Sequence, residues 1–192
     1  KEQILEFITA KDRYGNSFLH HAAEYSKSEE IFKFVWTIIE NLIIDTKKFK
    51  EFLLMKNDNG RNALMESIYW SNEFSFCFLF EQVYCKFFSI RKFAYETEKY
   101  GENLLHLLAK RGSVPMLKLA LEKLKNEFSH EDLRNFFELK NKKEQNVLHC
   151  VAFVFQYRGI KTTLTVDFFV NFIENEFGSE AVKKMLIEQD SL

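Results

Sequence analysis

Apolar residues recur along this chain in a short motif with the spacing i, i+3, i+4. This spacing places three side chains on one face of an α-helix, so each motif predicts a short amphipathic helix. The motif occurs as Ile4/Phe7/Ile8, Phe49/Phe52/Leu53, Ile90/Phe93/Ala94, Leu133/Phe136/Phe137 and Val182/Met185/Leu186.

A second segment follows each of the first four triplets at a fixed distance. Seven residues after each triplet stands an anchor position, and two residues further stands a small polar residue. Ser and Asn side chains satisfy backbone N–H groups at helix starts, so each polar residue predicts the N-cap of a second helix. The anchors are Gly15, Gly60, Gly101 and Glu144, and the N-caps are Ser17, Asn62, Asn103 and Asn146.

A longer apolar stripe with helical periodicity follows in three of the four units. The segment "FSFCFLF", which occupies this place in the second unit, alternates like a strand, but we predict a helix because of its position. The stripes comprise Ile31, Val35, Ile38, Ile39 and Leu42; Val114, Leu117, Leu121 and Leu124; and Val166, Phe169, Val170, Ile173 and Phe177.

The anchors are 45, 41 and 43 residues apart, a period that is typical of repeat arrays. We therefore expect an all-α chain, with residues 1–192 forming one array of three-helix repeats. The predicted units are 1–44, 45–88, 89–128, 129–177 and a partial fifth unit, 178–192.

The segment "GNSFLHHAA" resembles the ankyrin repeat, whose signature is a turn glycine followed by Thr-Pro-Leu-His-x-Ala-Ala. The Leu-His pair recurs in the third and fourth units, whereas the second unit has Leu64-Met65. The resemblance implies an α-solenoid of four divergent ankyrin-like repeats plus a partial fifth. Two departures are the missing proline and a period about ten residues above the usual 33. A three-helix unit of this length also resembles armadillo or HEAT-like repeats, which is the alternative fold.

The ankyrin resemblance also implies a function, because such arrays bind other proteins on a concave surface. Exposed positions in that family flank the turn glycine and follow the Ala-Ala pair. The corresponding loop residues are Arg13, Tyr14, Asn16, Asp58, Asn59, Arg61, Lys99, Tyr100, Glu102, Lys142, Lys143 and Gln145. The corresponding helix-end residues are Glu24, Tyr25, Tyr69, Trp70, Lys110, Arg111, Phe153 and Val154, of which Phe153 and Val154 are expected to cover neighbouring helices. Tyr69 and Trp70 fit a binding hot spot or a covering of neighbouring helices equally well.

Composition and charge narrow the function classes. With 27 basic and 28 acidic residues the net charge is −1, so nucleic-acid binding is not expected. No apolar run reaches the length of a membrane span. Three cysteines, widely spaced, do not form a disulfide framework, and we expect an intracellular protein, cytoplasmic or nuclear.

Candidate chemistry is sparse. His20, His106 and His149 occupy one repeat position, and the resemblance implies a structural role in which each bonds backbone across the inter-repeat turn. Cys77, Cys85 and Cys150 have no base at a recognisable spacing, and no phosphate loop or metal-ligand spacing is present. We therefore expect no cofactor, no metal and no enzymatic activity.

Two functional hypotheses follow. The first is a protein-interaction scaffold that binds a protein or peptide. The second is the regulatory or targeting region of a larger effector, such as a channel, a toxin or a host-directed protein. The second is motivated by the start at Lys1 and by the fifth triplet, whose anchor would fall one residue beyond Leu192.

Overall fold

Helices account for all the regular structure in the computed structural model, which describes residues 2–26, 28–43, 46–84, 87–158 and 163–187. Within these ranges there are 13 α-helices and no β-strand, so the all-α prediction is confirmed. The chain divides into two compact units, Lys1–Ser89 and Ile90–Leu192.

The first unit contains α1 to α6, and the second contains α7 to α13. The helices of the first unit are α1 Glu2–Thr9, α2 Phe18–Tyr25, α3 Glu29–Leu42, α4 Thr46–Leu53, α5 Ala63–Tyr69 and α6 Glu73–Phe78. Helix α6 continues into a π-helical turn, Leu79–Tyr84. The helices of the second unit are α7 Ile90–Ala94, α8 Leu104–Arg111, α9 Val114–Glu127, α10 His130–Glu138, α11 Val147–Arg158, α12 Thr163–Phe177 and α13 Ser179–Ile187.

Each apolar triplet lies in a helix, as predicted. The triplets of α4, α7 and α10 are completely buried. In α1, however, Ile4 and Phe7 are exposed and Ile8 alone is buried, although Phe7 still contacts the ring of Phe18. The predicted fifth unit is described only as far as residue 187, and within α13 Met185 is buried whereas Leu186 is exposed.

In the first unit, α2 packs against α5 and α3 packs against α6. The segment "FSFCFLF" is helical, as its place in the repeat predicted. The predicted stripe of α3 is partly wrong, because Ile31 is exposed and the buried side chains are Phe32, Trp36 and Ile39. Phe32 and Trp36 are larger, so turning them inward removes more apolar area from water.

In the second unit, α8 packs against α11, and α12 packs against both α11 and α13. The predicted residues Leu117, Leu121 and Leu124 of α9 are buried, and so are Phe169 and Ile173 of α12. The ring of Phe137 on α10 contacts the rings of Phe169, Phe172 and Phe177 at centroid distances of 6.3, 5.5 and 5.7 Å. Helices α10 and α12 therefore share an aromatic core.

The predicted N-caps are in place at the four helices that follow the anchors, which we call the inner helices: α2, α5, α8 and α11. Asn62 accepts a hydrogen bond from the N–H of Met65 at 3.0 Å, and Asn103 accepts one from His106 at 3.1 Å. Asn146 accepts from the N–H of His149 at 3.2 Å. Ser17 precedes α2, and its N–H donates to Nδ1 of His20 at 3.2 Å.

The loop before each inner helix has the same geometry in all four repeats. At each anchor the backbone is left-handed, with φ of 76°, 73° and 77° at Gly15, Gly60 and Gly101 and 57° at Glu144. Each anchor N–H donates to the carbonyl three residues earlier, at 2.8 to 3.0 Å. The residue that provides this carbonyl also accepts two backbone N–H bonds through its side chain. These residues, which the sequence reasoning missed, are Asp12, Asn57, Glu98 and Asn141.

Backbone hydrogen bonds join consecutive loops within each unit. The N–H of Asp58 donates to the carbonyl of Tyr14 at 3.0 Å, and the N–H of Lys142 donates to the carbonyl of Tyr100 at 3.0 Å. A Cβ at Gly101 would lie 3.0 Å from the Lys142 nitrogen. Glycine is therefore required at this position both by the close approach of the two loops and by the positive φ.

Histidine side chains on two of the inner helices connect the same pairs of loops. His20 Nε2 lies 2.9 Å from the Arg61 carbonyl, and His106 Nε2 lies 3.0 Å from the Gln145 carbonyl. A carbonyl can only accept, so Nε2 carries the proton in both rings. The predicted structural role is confirmed for these two residues. The same spacing from His149 reaches residues that lie outside the described ranges.

No helix in the described ranges has both the length and the apolar composition that crossing a bilayer requires.

Replacing Gly101 with Ala tests the contact between loops. We expect Gly101→Ala to lower the free energy of unfolding by about 3 kcal/mol, from left-handed strain of about 1 kcal/mol plus steric overlap with Lys142. Gly178→Ala is the matched control, because Gly178 has φ of 84° but no atom lies within 4 Å of the place that its Cβ would occupy. It should cost about 1 kcal/mol. Equal losses in urea titrations followed by circular dichroism would contradict a close inter-loop contact.

The buried histidines predict a dependence of stability on pH. Burial lowers the pKa of His20 and His106 from the ordinary value of 6.5, with the backbone hydrogen bonds acting in the opposite direction. The unfolded chain therefore binds more protons below pH 6.5, so stability is complete above this pH and falls as the pH decreases towards the folded pKa. The slope is at most about 1.4 kcal/mol per pH unit for each ring.

The measurement is the thermal midpoint between pH 7.5 and 5. The variant His20→Gln/His106→Gln should be less stable at pH 7.5 but should show a flatter profile than the wild-type chain. Parallel profiles would show that other groups cause the pH dependence.

Candidate functional site

The predicted binding residues lie on the loops and at the ends of the inner helices. We call this surface, whose residues are exposed or partly exposed, the loop face, and we describe it separately in each unit. In the first unit the loop face comprises Arg13, Tyr14, Tyr25, Asp58, Asn59, Tyr69 and Trp70. In the second unit it comprises Lys99, Tyr100, Lys110, Arg111, Lys142 and Lys143.

Three large aromatic side chains are exposed on the loop face of the first unit. The exposed fractions are 54% for Tyr14, 65% for Tyr25 and 52% for Trp70. Tyr14 lies at a loop tip beside the guanidinium of Arg13, whose Cζ is 4.7 Å from the ring centroid. Tyr25 and Trp70 lie at the far ends of α2 and α5, about 12 Å from the loops at 1.5 Å per residue. The face therefore has a loop-tip region and a helix-end region.

The helix-end region of the first unit is held together by polar contacts. The side chain of Asn72 donates to the carbonyl of Ser26 at 2.8 Å, which ties the start of α6 to the end of α2. The ring of His21 stacks on Tyr25 at 6.0 Å, and its Nε2 lies 3.0 Å from Oδ2 of Asp12. Tyr25 is thus exposed but oriented by its neighbours.

Negative charge surrounds Tyr25. A hydrogen bond to Glu24 raises the pKa of Tyr25 above 10.0, and the charges of Glu24, Asp12 and Glu66 act in the same direction. The phenol therefore stays protonated throughout the physiological pH range, with its proton donated to Glu24, and its oxygen can accept a hydrogen bond from a partner.

Arg61 was predicted to be exposed in the loop, but the structure buries it. Its exposed fraction is 7%, and its Cζ lies 3.5 Å from the ring centroid of Tyr69. Nη1 of Arg61 is 3.6 Å from Oε1 of Glu66, which also accepts a hydrogen bond from the Asn57 side chain at 2.6 Å. Arg61 thus supports Tyr69, whose ring in turn meets Trp70 edge-on at 5.4 Å. Burial follows because the guanidinium finds a carboxylate and an aromatic face together.

The second unit has the same supporting position with the charges exchanged. Glu102, which was also predicted to be exposed, has an exposed fraction of 9% and forms an ion pair with Lys110. Nζ of Lys110 lies 5.8 Å from the ring centroid of Phe153. The residue after the anchor therefore braces the helix end in both units, and it is an internal residue rather than a contact residue.

The loop face of the second unit is basic. Lys99, Lys142 and Lys143 are exposed, and Tyr100 between them is 51% exposed. Nζ of Lys142 donates to the carbonyl of Lys99 at 2.8 Å, which links the two loop tips. This surface suits a partner with acidic groups, whereas the first unit offers mainly aromatic surface.

No group of three or more His, Cys, Asp or Glu side chains that could hold a metal ion occurs among the described residues. Burial raises the pKa of Cys77 to about 11 and that of Cys150 to about 12, so both thiols are protonated at neutral pH. Cys85 lies outside the described ranges.

Comparison with known proteins does not assign a family. No family model matches the chain, and no curated protein matches it. Among solved structures, the chain is similar to one chain of a complex between a predatory endopeptidase from Bdellovibrio bacteriovorus and an immunity protein. The two are 17% identical, the match covers 83% of this chain and 84% of that one, and the TM-score is 0.38. A similarity at this level carries no conclusion about function.

Substitution of Glu66 tests the buried Arg61–Glu66 interaction, which holds Arg61 against the ring of Tyr69. Glu66→Met removes the carboxylate that faces the buried Arg61 guanidinium, so we expect the free energy of unfolding to fall by about 3 kcal/mol. Replacing both residues, as Arg61→Met/Glu66→Met, should recover most of this loss, because no buried charge is left behind.

The measurement is urea unfolding of Arg61→Met, Glu66→Met and the double variant, analysed as a cycle. Glu51→Gln, on the exposed surface of α4, is the control and should change stability by less than about 0.5 kcal/mol. Additive effects of the two substitutions would contradict a direct interaction between Arg61 and Glu66.

Proposed function

We propose that this chain is a non-enzymatic protein-interaction module, a solenoid of divergent ankyrin-like repeats that binds a protein or peptide through its loop face. The observation that carries the proposal is the fourfold repetition of one loop geometry with different exposed side chains. The two positions before the anchor are Arg13-Tyr14, Asp58-Asn59, Lys99-Tyr100 and Lys142-Lys143.

A constant backbone frame with variable exposed residues is what a recognition surface needs. The frame is built from backbone hydrogen bonds and from buried side chains, which leaves most side chains at the tips available to a partner. Specificity of repeat proteins resides in such side chains rather than in the fold. Tyr, Trp and Arg, which dominate binding hot spots, are present at these tips and at the helix ends.

Three features support the ankyrin-like part of the proposal. The turn glycines have positive φ, His20 and His106 of the Leu-His pairs donate to the next loop, and consecutive loops within each unit are joined by backbone hydrogen bonds. The proposed location inside the cell is supported by Cys77 and Cys150, which are free thiols.

The exposed aromatics allow a test that spares the fold. We expect Tyr14→Ala/Tyr25→Ala/Trp70→Ala to lose at least tenfold in partner capture from native lysate, because all three side chains are more than half exposed. Tyr69 is left intact because it packs on Arg61. Captured proteins are quantified by mass spectrometry after circular dichroism has shown that the variants are folded.

Phe34→Ala is the matched control, since Phe34 is an exposed aromatic residue of α3 outside the loop face. It should capture the same proteins as the wild-type chain. If the triple variant also captures them unchanged, the loop face of the first unit is not the binding surface. Tyr100→Ala/Lys143→Glu then tests the second unit in the same assay.

A further inference from the structure

A cleft of about 550 Å³ lies between α3 and α6 in the first unit. None of its lining residues belongs to the loop face. Its volume is within the range of pockets that enclose a small ligand or a few side chains of a partner. The cleft has an aromatic floor and an acidic rim, which together specify the chemistry of an occupant.

The floor is formed by Trp36 and Phe78 with the thiol of Cys77 beside them. Trp36 meets Phe49 edge-on at 5.5 Å and Phe78 at 5.8 Å, and Phe78 also meets Phe32 at 5.5 Å. These ring contacts fix the floor before any partner arrives, so binding does not require side chains there to be ordered.

The rim carries four glutamates and one lysine. Glu29, Lys33 and Glu40 come from α3, and Glu73 and Glu81 come from α6 and its π-helical extension. The lysine is already engaged, because Nζ of Lys33 lies 2.7 Å from Oε1 of Glu29. The Cys77 thiol lies within this environment. Burial raises its pKa most, and the negative charges of Glu73, Glu81 and Glu29 raise it further.

We infer that the cleft is a second binding site, which takes a segment of a partner protein carrying lysine or arginine. The cationic head would lie among the glutamates, and its methylene stem would lie along Trp36 and Phe78. A long basic side chain combines an apolar stem with a charged head, which matches an aromatic floor below an acidic rim. Aromatic faces also attract cations directly.

A metal ion would match the cleft less well than a basic side chain. A hard cation needs further oxygen ligands, whereas the floor offers aromatic rings and a protonated thiol. An uncharged apolar segment would cover the glutamates without compensating their lost hydration. A lysine- or arginine-bearing segment satisfies both parts of the cleft.

Fluorescence anisotropy with a labelled twelve-residue peptide of Lys and Leu at helical spacing provides the first test. The wild-type chain should bind this peptide and should bind the matching Glu/Leu peptide at least tenfold more weakly. Glu40→Gln/Glu81→Gln should weaken binding of the Lys/Leu peptide by about tenfold, as two partly exposed ion pairs allow.

Glu51→Gln/Glu131→Gln is the matched control for net charge, since it removes two exposed carboxylates outside the cleft. It should leave the affinity within about twofold of the wild-type value. Equal weakening by both double variants would mean that the peptide responds to overall charge, and this result would overturn the proposal.

Tryptophan emission locates the peptide. The chain has two tryptophans, so Trp70→Phe leaves Trp36 on the cleft floor as the single indole. The emission of Trp36 should change with the same midpoint as the anisotropy. An unchanged emission at saturation would place the peptide elsewhere and overturn the proposal.

Light scattering at tens of micromolar protein tests the competing occupant, a second copy of this chain. A wild-type dimer that is lost in Glu40→Gln/Glu81→Gln and retained in Glu51→Gln/Glu131→Gln would assign the cleft to self-association. That outcome would also overturn the inference of a separate basic partner, whereas a monomer in all three samples agrees with it.

Discussion

The backbone hydrogen bond between consecutive loops is the constraint on which the rest of each unit depends. The N–H of Asp58 reaches the carbonyl of Tyr14 only because no Cβ stands at Gly15, where it would lie 2.9 Å from the Asp58 nitrogen. Once two loops are joined in this way, the histidine below can reach the next carbonyl, and the inner helices that start from the loops must pack side by side. One short contact thereby fixes the spacing of several helices.

Local signals explain which parts of the fold the sequence predicts well. Triplets, N-caps and turn glycines each depend on a few neighbouring residues, and their register repeats four times. The buried face of α3 could not be predicted in the same way, because Ile31 and Phe32 are both apolar and packing against the neighbouring helices decides which one turns inward. The apolar residues of α3 therefore fit two different buried faces, one that contains Ile31 and one that contains Phe32 and Trp36.

Burial of polar residues was harder still to predict. Arg61 and Glu102 follow a turn glycine, a place where charged residues are ordinarily solvated, and their partners Glu66 and Lys110 are five and eight residues away. Asp12, Asn57 and Asn141 stand three residues before three of the four anchors, and this pattern was visible in the sequence and would have pointed to the loop acceptors. The cleft between α3 and α6 gave no such signal, since its acidic rim assembles from residues that are about 40 positions apart.

The π-helical turn at the end of α6 has a consequence for where irregular backbone lies in the first unit. Such a turn is an α-helix that has taken in one extra residue. Here it brings the hydroxyl of Tyr84 to 2.5 Å from the carbonyl of Leu53, so the inserted length is used for a buried contact. In the first unit the irregular backbone of the π-helical turn therefore lies in a helix, while the two loops keep the same hydrogen bonds.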